Sequence, residues 1–212
     1  GEVVVRPANA LKEMLENSID AGSKSVSVQT RDGGLKLLQI VDDGHGIHPE
    51  DFHILCERFT TSKLTKFSDL QTIQTFGFRG EALSSISYVA NLTVISKTRD
   101  RNCAYKGVFL NGNLIGENKD DAPTTVPIAG NDGTVIKVEN MFYNMNTRLK
   151  SLNSTNEEYL RILEVVTRYS LHYCRVGFAC KRTENQSGSL NTLNIVNKHK
   201  KSTDFQLREE II

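Results

Sequence analysis

Residues 7–20, PANALKEMLENSID, carry an amphipathic pattern at helical spacing, and this segment narrows the folds open to the chain more than any other. On a wheel of about 100° per residue, Leu11, Met14, Leu15, Ser18 and Ile19 fall on one side, while Glu13, Glu16, Asn17 and Asp20 fall on the other. Pro7 suits the first helical position, where its missing N–H costs nothing. A helix with one apolar stripe has to be laid against a second layer. That layer follows at once. Residues 24–30 (KSVSVQT) alternate as a strand does, Asp32-Gly33-Gly34 turns the chain, and residues 35–41 read as a second strand.

The rest of the chain continues in the same manner. A short helix is expected from Pro49 to Glu57, then a polar, glycine-dotted stretch over 60–80, then a helix opening at Gly80-Glu81 and carrying Ala82, Leu83, Ile86 and Val89. Strands are expected near 91–97, 104–110 and 134–139, with a hairpin at Asn111-Gly112. Residues 117–133 read as an exposed loop, and Thr155 to Glu158 as a capping box opening a helix that reaches about Leu171. Residues 181–204 are polar and fit either a hairpin with a long loop or the passage into another domain. The order predicts an α+β fold, with helices on one face of a mixed, largely antiparallel sheet, and not a doubly wound parallel one.

Charge excludes two classes. Twenty-six Lys and Arg against 25 Asp and Glu rule out a highly basic nucleic-acid tail and an acidic solvating chain as descriptions of the whole, though Lys198–Lys201 is locally basic. No apolar run approaches the ~18 residues of a membrane span. The opening residues lack a signal peptide's basic region and apolar core, and the chain, which does not begin with Met, is expected to be a piece of a longer one. Cys56, Cys103, Cys174 and Cys180 form no CxxC pair and are expected to be reduced thiols. His45, His48, His53 and Cys56 lack the spacing of a zinc site.

Five segments carry candidate chemistry. The polar face of helix 7–20 sets Glu16 and Asp20 at i,i+4, a like-charge pair costing about 0.2–0.5 kcal/mol. The face is either plainly solvated or it holds a cation. An amide oxygen such as that of Asn17 suits Mg2+, and a nearby carboxylate can deprotonate an attacking water. In DDGHGI, Asp42 ends a strand where its carboxylate can accept from an exocyclic amine, and Gly44 and Gly46 permit close backbone approach. An ordinary Asx turn is the alternative. TFGFRGEAL leads into a helix start, whose free N–H groups favour phosphate, and Arg79 adds a cation. Thr61, Ser62 and Lys63 add hydroxyls and an ammonium, and Gly133-Thr134 a hydroxyl at a strand start. Neither a Walker A string nor a Rossmann fingerprint occurs.

Taken in order, ExxxN (Glu13 to Asn17), DxGxG (Asp42, Gly44, Gly46), a glycine-rich lid and a Gly-Thr pair resemble the GHKL ATPases. KEMLENSIDAGS, FTTSK, FGFRGEALSSIS and MFYNMNTRLK resemble the MutL mismatch-repair family within them. ILCERFTTSKL and YLRILEVVTRYS further resemble the eukaryotic subunit shared among MutL heterodimers. The resemblance runs from Gly1 to about Lys181. It implies a two-layer sandwich of the GHKL (Bergerat) type, with an ATP-binding domain over 1–185 and a segment over 186–212 leading towards a second domain. It implies Glu13 as general base, Asn17 as Mg2+ ligand, Asp42 on the adenine amine with Gly44 and Gly46 beside it, and Thr134 in support. Thr61, Ser62, Lys63 and the lid Gly77, Phe78, Arg79, Gly80, Glu81, Ala82 and Leu83 would enclose the phosphates of ATP. Implied partners are a second MutL-type subunit, MutS-type mismatch-recognition proteins and, weakly, DNA; the implied location is the nucleus. Weak turnover is expected of the chain alone, and a non-catalytic ATP-binding interaction module is the alternative. Asp43 stands where the family usually has Asn, and its charge either weakens nucleotide binding or caps a turn.

Overall fold

The amphipathic segment forms helix α1, Pro7–Asp20, with Pro7 in its first turn. The structure is a computed structural model that describes residues 4–57, 82–116, 122–152 and 154–183, and the backbone of 191–193. After α1 come strands β1 (Ser25–Arg31) and β2 (Leu37–Asp42), joined through a 3-10 turn at Asp32–Gly34. Helix α2 (Ala82–Ser87) precedes β3 (Asn91–Lys97) and β4 (Ala104–Leu110). β4 turns at Asn111-Gly112, both at positive φ, into β5 (Asn113–Ile115). β6 (Val126–Ile128) and β7 (Gly133–Glu139) follow, then α3 (Asn146–Ser151), α4 (Thr155–His172), β8 (Gly177–Thr183) and β9 (Asn191–Leu193).

Among the described residues, nine strands make one sheet in the order β5-β4-β3-β7-β2-β1-β8-β9, with β6 on β4. Every pair among them is antiparallel except β1–β8. This is the expected α+β arrangement. Four central strands carry their inward residues in level rows. Val28, Ile40, Ile136 and Val94 make one row, and Thr30, Leu38, Val138 and Leu92 the next. All are buried in one core with Leu11, Met14 and Leu15 of α1 and Ile162 and Val166 of α4. Each such large apolar side chain contributes about 1.5–3 kcal/mol, so α1 is held mainly by its stripe and not by its caps. The opposite face carries Gln29, Gln39, Lys137 and Thr93 in register, half-buried.

Several expectations are corrected. The helix expected from Pro49 to Glu57 is a 3-10 segment, Pro49–Ile54, anchored by buried Phe52, whose ring stacks on Phe109 at 6.4 Å. The helix carrying Leu83 and Ile86 stops at Ser87, before Val89. Within the expected loop 117–133, β6 pairs with β4, and Pro127, which has no N–H to give, is tolerated on this short edge strand. α3 and the start of β8 carry no strong periodic signal in the sequence. The cap of α4 is Ser154, whose Oγ accepts from Glu157 N at 3.2 Å, and Thr155 already belongs to the helix. Glu158 closes no capping box; it is buried and ion-paired with Arg6 at the entrance of α1.

Candidate functional site

One row of the covered face breaks the apolar pattern. Val26 pairs with Asp42, Asp42 with Thr134, and Thr134 with Ser96, so three polar side chains stand side by side across β2, β7 and β3. All three are buried. The two rows beneath are apolar except for Thr30. Polar groups are buried only at a cost unless they are partnered, and here they partner one another and the turns above.

Asp42 is the centre of this network. Its Oδ2 accepts from Ser18 Oγ at 2.8 Å, and its Oδ1 from Gly44 N at 2.9 Å and Ser23 Oγ at 3.2 Å. Burial outweighs these hydrogen bonds and raises its carboxyl above the ordinary value, with the charge of Asp43 pushing the same way. Ser18 belongs to α1, and Ala21 O at the end of that helix accepts from His45 N at 3.0 Å. The turn after β2 is thereby tied to the C-terminal end of α1. Gly46 sits at φ 77°, and a Cβ there would stand 2.3 Å from Lys97 O, so no other residue fits the close approach. Gly133, at φ 114°, is as tightly placed: its Cβ would lie 2.1 Å from Asp42 O. These glycines let two turns close over the polar row.

Asp43 points elsewhere. Its Oδ1 accepts from Lys24 N at 2.7 Å and Ser25 N at 2.8 Å, capping the start of β1. Of the two expectations for this extra charge, the geometry is that of the cap.

α1 brings Asn17 next to the same network, since the adjacent Ser18 touches Asp42. Glu13 lies one turn earlier on the same side of the helix, and both residues are half-buried. The acidic face is not uniformly solvated, because α4 packs beside it. Tyr169 Oη donates to Glu16 at 2.5 Å. Burial first, then Glu16, and more weakly Tyr173 and Glu13, push the Tyr169 phenol up. Glu16 is thus engaged towards α4, while Glu13 and Asn17 occupy the arc between α4 and the Asp42 contact. Their hard oxygen donors suit Mg2+, an ion that takes one or two protein groups and leaves the rest to water and phosphate. Among the described residues, no three His, Cys, Asp or Glu gather as a metal site.

The structure therefore brings together Asp42, Gly44, Gly46 and Thr134, while Asn17 is the helix neighbour of the Ser18 that touches Asp42 and Glu13 lies one turn before it. Ala82 and Leu83 open α2, with the Leu83 side chain in the core. Thr61, Ser62, Lys63, Gly77, Phe78, Arg79, Gly80 and Glu81 lie outside the described residues. Ser18, Ser23 and Ser96 were not singled out as site residues from the sequence. The signal was there for two of them: Ser18 interrupts an apolar helix stripe, and Ser96 ends the inward series Leu92, Val94.

Comparison with known proteins agrees with this fold. The family model for histidine kinase-, DNA gyrase B- and HSP90-like ATPases matches residues 5–130. The DNA mismatch repair protein MLH1 of Saccharomyces cerevisiae is 50% identical over 90% of this chain and 24% of its own length. The DNA mismatch repair protein MutL of a Coxiella burnetii strain is 41% identical over 88% of this chain and 31% of its own. The chain thus spans a minor part of these relatives. Among solved structures, the N-terminal domain of a DNA repair protein superposes with a TM-score of 0.75 at 28% identity, covering 91% of this chain and 53% of that one. The Aquifex aeolicus MutL ATPase domain complexed with ADP superposes with a TM-score of 0.65 at 26% identity, covering 85% of this chain and 61% of that one. The family model that matches over half of the chain, with the relatives and the superposed domains, places the chain in the histidine kinase-, DNA gyrase B- and HSP90-like ATPase family, on its MutL branch.

Proposed function

We propose that this chain binds ATP with Mg2+ and hydrolyses it slowly, as the N-terminal ATPase region of a MutL-type DNA mismatch-repair protein. The observation that carries the reading is Asp42, a buried carboxylate at a strand end with oxygens facing both α1 and the glycine turn. A carboxylate accepts and never donates, so it selects an amine, which adenine has at this position and guanine lacks. Glu13, on the half-buried arc of α1, takes the proton of the attacking water as its oxygen bonds to the γ-phosphorus and the bond to the β-phosphate oxygen breaks. Asn17 would hold Mg2+, which would offset the charge of the triphosphate.

The finer roles rest on sequence resemblance. Thr61, Ser62, Lys63 and the lid Gly77–Leu83 enclose the phosphates. ATP favours the closed lid and a paired state of two MutL-type N-terminal regions, and hydrolysis releases it. The whole protein would act in the nucleus as a heterodimer, with MutS-type proteins and weakly held DNA. The near-zero net charge fits weak DNA affinity from this region.

The test separates binding from chemistry. Calorimetry with a non-hydrolysable ATP analogue and Mg2+ is run beside single-turnover hydrolysis. Glu13→Ala is expected to bind like the parent while hydrolysis falls about 10²–10⁴-fold. Asn17→Ala is expected to weaken binding itself. Normal hydrolysis by Glu13→Ala would remove the assigned base. Tight binding by the parent without any hydrolysis would favour the non-catalytic module instead.

A further inference from the structure

We infer that Ser96 is a specificity-determining residue: it fixes the direction of the Thr134 hydroxyl proton and so leaves only acceptors at the Asp42 end of the polar row. The inference rests on the reading of Asp42 as a purine-amine acceptor. Three contacts meet at Ser96 Oγ. Ile47 N donates to it at 2.8 Å, Gly133 O lies at 2.9 Å, and Thr134 Oγ1 lies at 2.9 Å. A backbone N–H can only give and a carbonyl can only take. The contact with Gly133 therefore uses the one proton that Ser96 owns. The third contact must then be supplied by Thr134, whose single proton is turned towards β3 and away from Asp42.

Two consequences follow. Thr134 pairs directly with Asp42, so a ligand edge seated beside both meets a carboxylate and a hydroxyl that offers lone pairs alone. An amino group is welcome there. A 6-oxo purine places an acceptor where the amine stood, so that oxygen faces two acceptors and finds no proton there, and the one proton of its edge, on N1, sits a ring position away. Ser96 also holds the Ile47 N–H, so the hydroxyl that sets the polarity pins the glycine turn as well. A merely structural role would weaken every nucleotide alike. The polarity role changes the ratio between bases.

The experiment compares a non-hydrolysable ATP analogue with the matching inosine analogue, both with Mg2+, on the 212-residue chain, Ser96→Ala and Ser96→Thr. In Ser96→Ala the Thr134 hydroxyl is free to turn and donate to the 6-oxo group. One recovered hydrogen bond shifts the preference for the amino purine down by about tenfold. Ser96→Thr, which keeps the hydroxyl, is expected to retain the parental ratio. An unchanged ratio in Ser96→Ala, with or without a uniform loss of affinity, would overturn the inference. A parental chain that binds both bases equally would overturn the Asp42 reading and this inference with it. Neutron diffraction on the deuterated parent decides the proton position without any nucleotide or substitution. Deuterium on Thr134 Oγ1 pointing to Ser96 supports the assignment, and deuterium pointing away from Ser96 ends it.

Discussion

Replacing Asp42 by Asn tests recognition and stability in opposite directions. The substitution keeps the shape and one oxygen for Gly44 N and Ser23, while the amide nitrogen faces Ser18, whose hydroxyl can turn to accept. The variant should fold. It loses the ionised acceptor, and a charge-assisted hydrogen bond is worth about 1.5–3 kcal/mol. The ATP analogue should therefore bind about 10- to 150-fold more weakly by calorimetry. Stability moves the other way. Burial raises the Asp42 carboxyl above its ordinary value, so folding favours its neutral form. The unfolded carboxyl ionises near pH ~3.9. Below that value parent and variant are equally neutral at this position. As pH rises from there through the raised folded value, the parent loses stability that the amide cannot lose, and the difference then levels off. At pH 7, without nucleotide, Asp42→Asn should melt at or above the parental temperature; at pH 3 the advantage should vanish. A variant that melts well below the parent at pH 7, or that binds the analogue with parental affinity, would refute the reasoning.

Three further outcomes are expected. Gly46→Ala places a Cβ against Lys97 O in left-handed backbone, costs at least about 2 kcal/mol, and should lower the melting temperature by at least about 4 °C. Ser154→Ala removes the α4 cap and should cost about 1 kcal/mol in denaturant unfolding. Burial pushes the Cys56 thiol to about 12 and the Cys180 thiol to about 11, while Cys174 is exposed. At pH 8, iodoacetamide with mass-spectrometric readout should therefore mark Cys174 well before either buried thiol. Both buried thiols also stay protonated above pH ~8.5, where the unfolded chain ionises, so they contribute stability that fades as pH rises towards those values.

Much of the fold was legible because its elements obey period. α1 was readable to the residue, since its apolar stripe and Pro7 mark both its face and its start. β3 and β4 were equally clear. β6 was hidden, because three residues around Pro127 carry no alternation and gain their pairing only from β4. The α4 cap falls one residue before the Thr155 that the sequence suggests, because a Thr-to-Glu spacing also fits a capping box although Glu158 is used by Arg6. The site was legible as separate motifs, and its geometry was not. Asp42, Thr134 and Ser96 each end an inward apolar series, but their common level depends on the register of three strands far apart in sequence. Ser23, in a turn, gave no pattern at all.

A crystal structure of this chain with Mg2+ and a non-hydrolysable ATP analogue tests the central claim most directly. The account predicts the adenine amine within hydrogen-bond distance of Asp42, with Mg2+ between Asn17 and the phosphates. A nucleotide seated away from the Asp42–Thr134 row, or a magnesium ion that Asn17 does not touch, would contradict it.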